Sequence, residues 1–303
     1  MNQIANLRRC GSRICASASH GGNSASYAAA YQAADVGPGD VIFIILRHQP
    51  DLYAAFFGAM LIGAVPSMLP FPSAKQDPEI YWTNHAAVFA RTGAAVLIAD
   101  EDLCADLSAR GFGARMALLS PTAISDVGLA LPNIQDENAI ALLQHSSGTT
   151  GLKKGVSLSY RAIRLQLDAY APTLGLEATS IIASWLPLYH DMGLIACLLL
   201  PAYLGIPIVA LDPFEWAARP AALLEAIEAH RATHVWVPNF ALDHLVRAVP
   251  RGATFDLSSI VAMIGCSEPN KPASFDRFIA RYCSSGVDET KLQTCYAMAE
   301  TVF

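Results

Sequence analysis

The chain has 303 residues, of which 53% are apolar and 15% charged, and it carries a net charge of −6. That length buries a large core, as one big domain or two smaller ones, and the acidic balance argues against nucleic acid or an anionic membrane surface as a default partner. Seven cysteines at irregular spacing, with no Cys-x-x-Cys, make neither a disulfide framework nor a zinc site and point to reduced, mostly buried thiols in a cytoplasmic protein.

Residues 1–24 show no periodicity and are expected to form a poorly structured segment. Arg8, Arg9 and Arg13 among many Ser and Ala, ahead of the first acidic residue Asp35, faintly suggest an organellar transit peptide; a poorly ordered or displaced start is preferred. A helix is predicted over 24–34, then a turn through Val36-Gly37-Pro38-Gly39-Asp40, a strand over 41–46 and a helix over 51–62. The rhythm repeats with a helix over 78–91, a strand over 94–99, a helix over 101–110 and a strand over 116–119. The Pro-rich stretch 66–78 reads as a loop, and 120–138 as a connector. An apolar run at 139–143 and a β-prone run at 156–159 come next, followed by a helix over 160–171 and a strand over 180–185. Strands at 206–211, 234–237 and 260–264 then alternate with helices at 217–230, 240–249 and 271–282. Alternating strands and helices imply parallel pairing in an α/β layered fold. Two uncharged stretches, 52–74 and 192–211, are long enough to span a bilayer. Gly63, Pro66, Pro70 and Pro72 interrupt the first, and Pro201, Gly205 and Pro207 the second. Each therefore reads as a buried helix followed by a short buried strand, with no membrane span.

Chemistry concentrates between 144 and 156, where three glycines, four hydroxyl side chains and two lysines lie between two β runs. Glycines let successive N–H groups converge on an anion, hydroxyls add donors, and a lysine supplies a mobile charge; polyphosphate binding uses all three. The plain alternative is a flexible polar hairpin loop. A Walker A loop does not fit, because Leu152 precedes Lys153 where glycine belongs and no Ser or Thr follows Lys154. The string Ser146-Ser147-Gly148-Thr149-Thr150-Gly151, followed after two residues by Lys154-Gly155, resembles the phosphate loop of the adenylate-forming superfamily of acyl-CoA synthetases, fatty acyl-AMP ligases and luciferases. Members often carry proline where this chain has Lys153. The Val36–Asp40 turn and the strand and helix after it also look like the early part of that family's large domain.

Three later strings extend the resemblance. Leu186-Pro187-Leu188-Tyr189-His190-Asp191-Met192-Gly193-Leu194 places His and Asp at the end of a predicted parallel strand, where α/β proteins hold ligands. On residues alone this is equally a hydrogen-bonded structural pair. It closely resembles the fatty acyl-AMP ligase form of the substrate-side motif, which implies that His190 lies beside the reacting carboxylate. Pro238-Asn239-Phe240-Ala241 is similar to a segment lining the acyl pocket in such ligases. Gly265-Cys266-Ser267-Glu268-Pro269 nearly spells the serine-hydrolase elbow Gly-x-Ser-x-Gly, but Pro269 stands where the second glycine is needed for strand–helix packing. It looks like the family's Gly-Ala-Glu-Pro element, which contacts adenine through its backbone; Ser267 replaces the alanine, and Cys266 falls on the substrate side. Tyr296-Ala297-Met298-Ala299-Glu300-Thr301 resembles Tyr-Gly-x-Ala/Thr-Glu: a ring to stack on adenine and a carboxylate suited to magnesium. Ala297 in place of glycine crowds the adenine slightly, and Ala299 lacks the hydroxyl that some relatives direct at the α-phosphate.

The resemblance covers residues 25–303 and implies the layered αβαβα large domain of adenylate-forming enzymes, with mostly parallel sheets and incomplete at its C-terminus. It implies ATP and Mg²⁺ as cofactors, and a fatty or other carboxylic acid as substrate. CoA or an acyl carrier protein would be the thiol acceptor. Catalytic roles fall to Lys154, His190 and Glu300, with Glu300 as the metal ligand. Nucleotide contacts fall to the phosphate loop (Ser146, Ser147, Gly148, Thr149, Thr150, Gly151, Lys154), to Gly265, Ser267, Glu268 and Pro269, and to Tyr296, Ala297 and Thr301. His190, Asn239, Phe240 and Cys266 fall on the substrate side. The uncharged tract after His190 suits a long acyl chain, and core packing explains it equally well. Complete relatives continue past the Tyr…Glu motif into a mobile domain carrying a catalytic lysine, so the chain is expected to be a partial adenylation domain with weak or absent activity by itself. A non-catalytic nucleotide- or acyl-binding remnant and a serine hydrolase dependent on Ser267 are the alternatives.

Overall fold

The structure, a computed structural model, describes residues 23–73, 76–125, 136–145 and 154–303. The expectations for residues 1–22 and for the loop residues Ser146, Ser147, Gly148, Thr149, Thr150 and Gly151 lie outside them. The chain divides into two compact units, Met1–Arg164 and Leu165–Phe303.

In the first unit, α1 (Ser24–Ala33) begins where the Asn23 side chain accepts the Ala25 N–H, an N-cap that satisfies an otherwise orphaned donor. Strand β1 (Val41–Ile45) is apolar at every position because helices cover both faces of a parallel sheet. It is central in a four-stranded parallel sheet of order β2-β1-β3-β4, where β2 is Val65–Met68, β3 Val96–Ala99 and β4 Ala117–Leu119. Helix α2 (Pro50–Ile62) starts on a proline and stops at Gly63, whose φ of 76° is the left-handed cap that glycine adopts without strain. It is buried along almost its whole length, and α1 packs on it at Gly58. Tyr27 donates to Asp51 at 2.8 Å and Tyr31 to the Ala55 carbonyl at 3.0 Å. Helix α3 (Pro78–Thr92) is capped by Asp77 and ends at Gly93; α4 (Glu101–Ala109) completes the layer. Phe43, Tyr81, Trp82, Phe89, Leu97 and Phe112 fill the space between them. The predicted 66–78 loop begins later than expected, because Val65–Met68 pairs with β1; Pro66 is tolerated since β2 is an edge strand of that sheet. β5 (Ile140–His145) and β6 (Gly155–Ser159) form an antiparallel ladder that brackets the phosphate-loop string. The division between units falls within α5 (Tyr160–Thr173).

In the second unit, five parallel strands run in the order β11-β10-β9-β7-β8: β7 is Ile182–Ser184, β8 Ile208–Ala210, β9 His234–Val237, β10 Ala262–Gly265 and β11 Leu292–Thr294. The chain steps outward from β7 to β8, then crosses back to β9 on the other side, so a switch point lies between β7 and β9. Ligands of α/β sheets bind outside the carboxyl ends of strands at such a point. Because all five strands are parallel, the segments after β7, β8, β9, β10 and β11 emerge on one edge. The opposite, amino-end edge is held by polar staples. There Arg231 pairs with Asp256 at 2.6 Å, Glu228 accepts the Asp256 N–H at 2.8 Å, and Lys291 donates to the Gly286 carbonyl at 2.6 Å.

Residues 192–199, part of the uncharged stretch 192–211, form a π-helix, Met192–Leu199, buried at every position and continued by α6 (Leu200–Leu204). Core packing therefore accounts for it. The helix expected over 217–230 is two: α7 (Pro213–Ala218) and α8 (Ala221–His230). Arg219 leaves helical geometry at φ −137° because a residue before proline is pushed out of the α region, and Pro220 follows. Helices α9 (Asn239–Ala248) and α10 (Pro272–Tyr282) complete the unit, and β11 is a strand that its short polar sequence did not announce. Among the described residues, no helix is long and apolar enough to cross a membrane.

Candidate functional site

The site is built on the carboxyl edge of the second sheet. After β10 the chain turns sharply at Ser267, whose φ of 69° is the left-handed region that a non-glycine residue enters at a cost of about 1–2 kcal/mol. Such strain persists where surrounding bonds over-determine it, and three are present. Asn270 donates its amide to the Gly265 carbonyl at 3.1 Å, Glu268 accepts the Phe240 N–H at 2.6 Å, and the Ser267 hydroxyl reaches Met192 Sδ at 3.7 Å. The Ser-Glu-Pro element is thus tied to the Pro-Asn-Phe-Ala segment on one side and to the His-Asp-Met motif on the other. These three strings, tied by bonds between residues 28 and 75 positions apart in sequence, meet because their strands end on the same edge.

Residues 267–270 and 294–297 face one another across a cavity of about 610 Å³. That lies within the range of small-molecule sites. Tyr296 is 83% exposed, leaving a free ring face for a planar base. Ala297 continues this wall. Thr301, expected among the nucleotide contacts, does not line the cavity; its hydroxyl donates to the Met298 carbonyl at 3.1 Å. Glu300 is exposed in the short turn Ala299–Thr301.

On the substrate side, Phe240 is half exposed at the start of α9, whereas Asn239 is buried and structural: it accepts the Lys271 N–H at 2.8 Å and donates to Ser274 at 3.3 Å. Cys266, expected among the substrate-side residues, is completely buried, and its thiol faces Cys295 within the wall. His190 is exposed, with its ring 4.8 Å from Tyr189, whose hydroxyl is pushed up by burial. Gly193 permits the loop to close on itself: a Cβ there would lie 2.3 Å from the Pro187 carbonyl oxygen. Sequence reasoning missed Trp216. It lies after β8, stacks on Trp185 at 3.5 Å and 9°, and meets the Phe240 ring edge at 6.3 Å. Its place after a predicted parallel strand was the available signal.

Lys154 is exposed immediately before β6 in the first unit, while His190, Ser267, Tyr296 and Glu300 belong to the second. The hydrolase alternative finds no support: among the described residues, the Ser267 hydroxyl has a thioether partner and no histidine to act as base. No group of three or more His, Cys, Asp or Glu side chains able to hold a metal occurs among the described residues. A lone exposed carboxylate nonetheless fits magnesium, an ion that takes one or two carboxylates and completes its shell with phosphate and water oxygens.

The model of the AMP-binding enzyme family matches residues 23–303. The long-chain-fatty-acid–AMP ligase FadD32 of Mycolicibacterium smegmatis is 30% identical over 278 residues, covering 87% of this chain and 43% of the relative. The medium-chain-fatty-acid–[acyl-carrier-protein] ligase JamA of Moorena producens is 33% identical over 182 residues, 59% of this chain and 30% of the relative. The crystal structure of a fatty acid AMP ligase from Legionella pneumophila superposes with a TM-score of 0.84 at 26% identity, over 92% of this chain and 49% of that one. A fatty acyl-adenylate ligase of the same organism, in complex with acyl adenylate and pyrophosphate, gives 0.82 at 26%, over 91% and 49%. The chain spans about half, or less, of the length of these relatives. With the mixed, mostly parallel sheets and the motif order already in place, the match over 23–303 identifies the chain as a member of the AMP-binding enzyme family.

Proposed function

We propose that the chain is the adenylating part of a fatty acid ligase. It would activate a carboxylic acid with ATP to an acyl-adenylate and release pyrophosphate, for transfer to the thiol of CoA or a carrier protein. The observation that carries this reading is the cavity between residues 267–270 and 294–297, where the Ser-Glu-Pro and Tyr…Glu strings face each other on the edge that also receives the His190 motif. The names of its relatives point the same way: FadD32 is a fatty-acid–AMP ligase, and the Legionella enzyme was seen with acyl adenylate.

In this reading Tyr296 stacks on adenine and the backbone of 267–269 meets its edge. Lys154, at the end of the phosphate loop, supplies a positive charge to phosphate oxygens, and His190 orients the acid's carboxylate for in-line attack on the α-phosphorus. Negative charge shifts between phosphate oxygens as the reaction proceeds, so positioned donors lower the barrier more than covalent chemistry does. Glu300 would hold magnesium, which supplies charge neutralisation to the phosphates. The setting we assign is cytoplasmic. The test is ATP–pyrophosphate exchange over a panel of fatty acids, with Lys154→Ala and Glu300→Ala as controls. Acid-dependent exchange lost in both variants supports adenylation and names the preferred acid. ATP binding by calorimetry without exchange identifies a binding module instead, and neither exchange nor binding rejects the nucleotide reading of this chain.

A further inference from the structure

We infer that Cys266 and Cys295 are a site of reversible oxidative modification, joined by a disulfide across the wall of the cavity. Strands β10 and β11 pair in parallel register with Gly265 opposite Thr294, and the next residue on each strand is a cysteine. The Cys295 N–H donates to the Gly265 carbonyl at 2.9 Å, so the ladder persists to the cysteines themselves. Neighbouring strands lie about 4.8 Å apart, inside the Cα separation of about 4.4–6.8 Å that a disulfide spans. Paired residues of a parallel ladder project their side chains from the same face, which sets the two thiols side by side.

The surroundings separate this pair from the other described thiols. Cys295 is partly exposed and lines the cavity, which gives an oxidant a route in, while Cys266 is completely buried behind it. The Cys295 thiol and the Ser267 backbone and hydroxyl hold the Cys266 thiol below its ordinary range, against the opposing effect of burial. Cys197, also buried, is pushed up to about 12 by burial and stays inert.

With hydrogen peroxide as oxidant, the Cys295 thiol gives up its proton as its sulfur attacks one peroxide oxygen. The O–O bond breaks, giving a sulfenic acid at Cys295, and the departing hydroxide takes that proton and leaves as a first water. The Cys266 sulfur then attacks the sulfenyl sulfur; the S–S bond forms, the S–O bond breaks, and hydroxide leaves with the thiol proton as a second water. Two thiols and one peroxide become one disulfide and two waters. Bonding fixes the sulfurs at about 2.05 Å, pulling Ser267 and Tyr296, the residues directly after each cysteine, out of their resting spacing. Nucleotide binding is therefore expected to weaken on oxidation, a consequence that rests on the function proposed above.

The 303-residue chain, treated with hydrogen peroxide, alkylated and digested, is expected to yield a Cys266–Cys295 linked peptide two hydrogens lighter than its reduced parts and removable by dithiothreitol. It should be absent from Cys295→Ser. Two free, alkylatable thiols at 266 and 295 when exposed Cys283 is already oxidised, or linkage of Cys295 to some other cysteine, would overturn the proposal. In parallel, calorimetry should show ATP affinity falling at least tenfold on oxidation and returning on reduction, with Cys295→Ser insensitive to peroxide. An oxidised protein that binds ATP as tightly as the reduced one rejects the control of binding. Failure of the reduced protein to bind ATP rejects the nucleotide reading, and the linked peptide still decides the disulfide.

Discussion

Gly193→Ala tests how the His190 loop is held. The added Cβ would lie 2.3 Å from the Pro187 carbonyl oxygen and 2.9 Å from its carbon, both backbone atoms that cannot swing aside. Carbon–oxygen contacts settle near about 3.3–3.6 Å, so the loop must retreat by roughly 1 Å. Overpacking of this kind costs about 1–3 kcal/mol, against a gain of roughly 1 kcal/mol from replacing glycine inside a helix. The expected net loss is up to about 2 kcal/mol, or a fall of up to roughly 8 °C in Tm at about 2–4 °C per kcal/mol. Differential scanning fluorimetry measures the shift. Because the displaced atoms flank His190, acid-dependent pyrophosphate exchange should fall further than ATP binding does. A variant that melts at or above the wild-type temperature and exchanges normally would refute the claim that Pro187 is packed immovably on this glycine.

Three further expectations concern other parts of the fold. Trp216→Ala removes a ring that is 1% exposed and stacked on Trp185; the lost packing should cost about 3–5 kcal/mol, read as a lower urea midpoint. Tyr296→Ala deletes an exposed ring, so circular dichroism and Tm should not change while ATP affinity drops by about 1–3 kcal/mol of stacking, and unchanged affinity would remove adenine from that face. Asp256 is held down to about 2 by the Ser258 hydroxyl and N–H and by Arg231. Its folded value lies below the ordinary 3.8, so its stabilisation is complete above that pH and is lost as pH falls towards 2. Asp256→Asn should therefore unfold earlier than wild type at pH 6, with the two urea midpoints converging between pH 4 and 2; parallel curves throughout would reject this.

Much of the fold was readable because its signals are local. An apolar run such as Val41–Ile45, or an Asp-Pro start and glycine stop as in Pro78–Thr92, carries its cause within a few residues. The elements that escaped depend on partners. Leu292–Thr294 is a strand only because β10 offers it a parallel edge, and the helix over 217–230 broke at a proline whose effect reaches the residue before it. The site divides the same way. The strings around His190, Ser267 and Tyr296 could be identified by their order along the chain. The Glu268 bond to the Phe240 N–H and the Trp185–Trp216 stack join residues about 30 positions apart, and only the sheet order brings them together.

The two rims of the second sheet carry different burdens. Charged staples such as Arg231–Asp256 and Lys291–Gly286 fasten the rim where strands begin, and the aromatic, sulfur and strained groups crowd the rim where they end. Selection can therefore rework substrate preference in the segments after the strands without loosening the clamps that keep the sheet folded. Insertions or circular breaks at the beginning rim would instead test stability while leaving chemistry in place. A protein arranged this way can drift in specificity while its architecture stays fixed, as a family of many ligases on one scaffold requires.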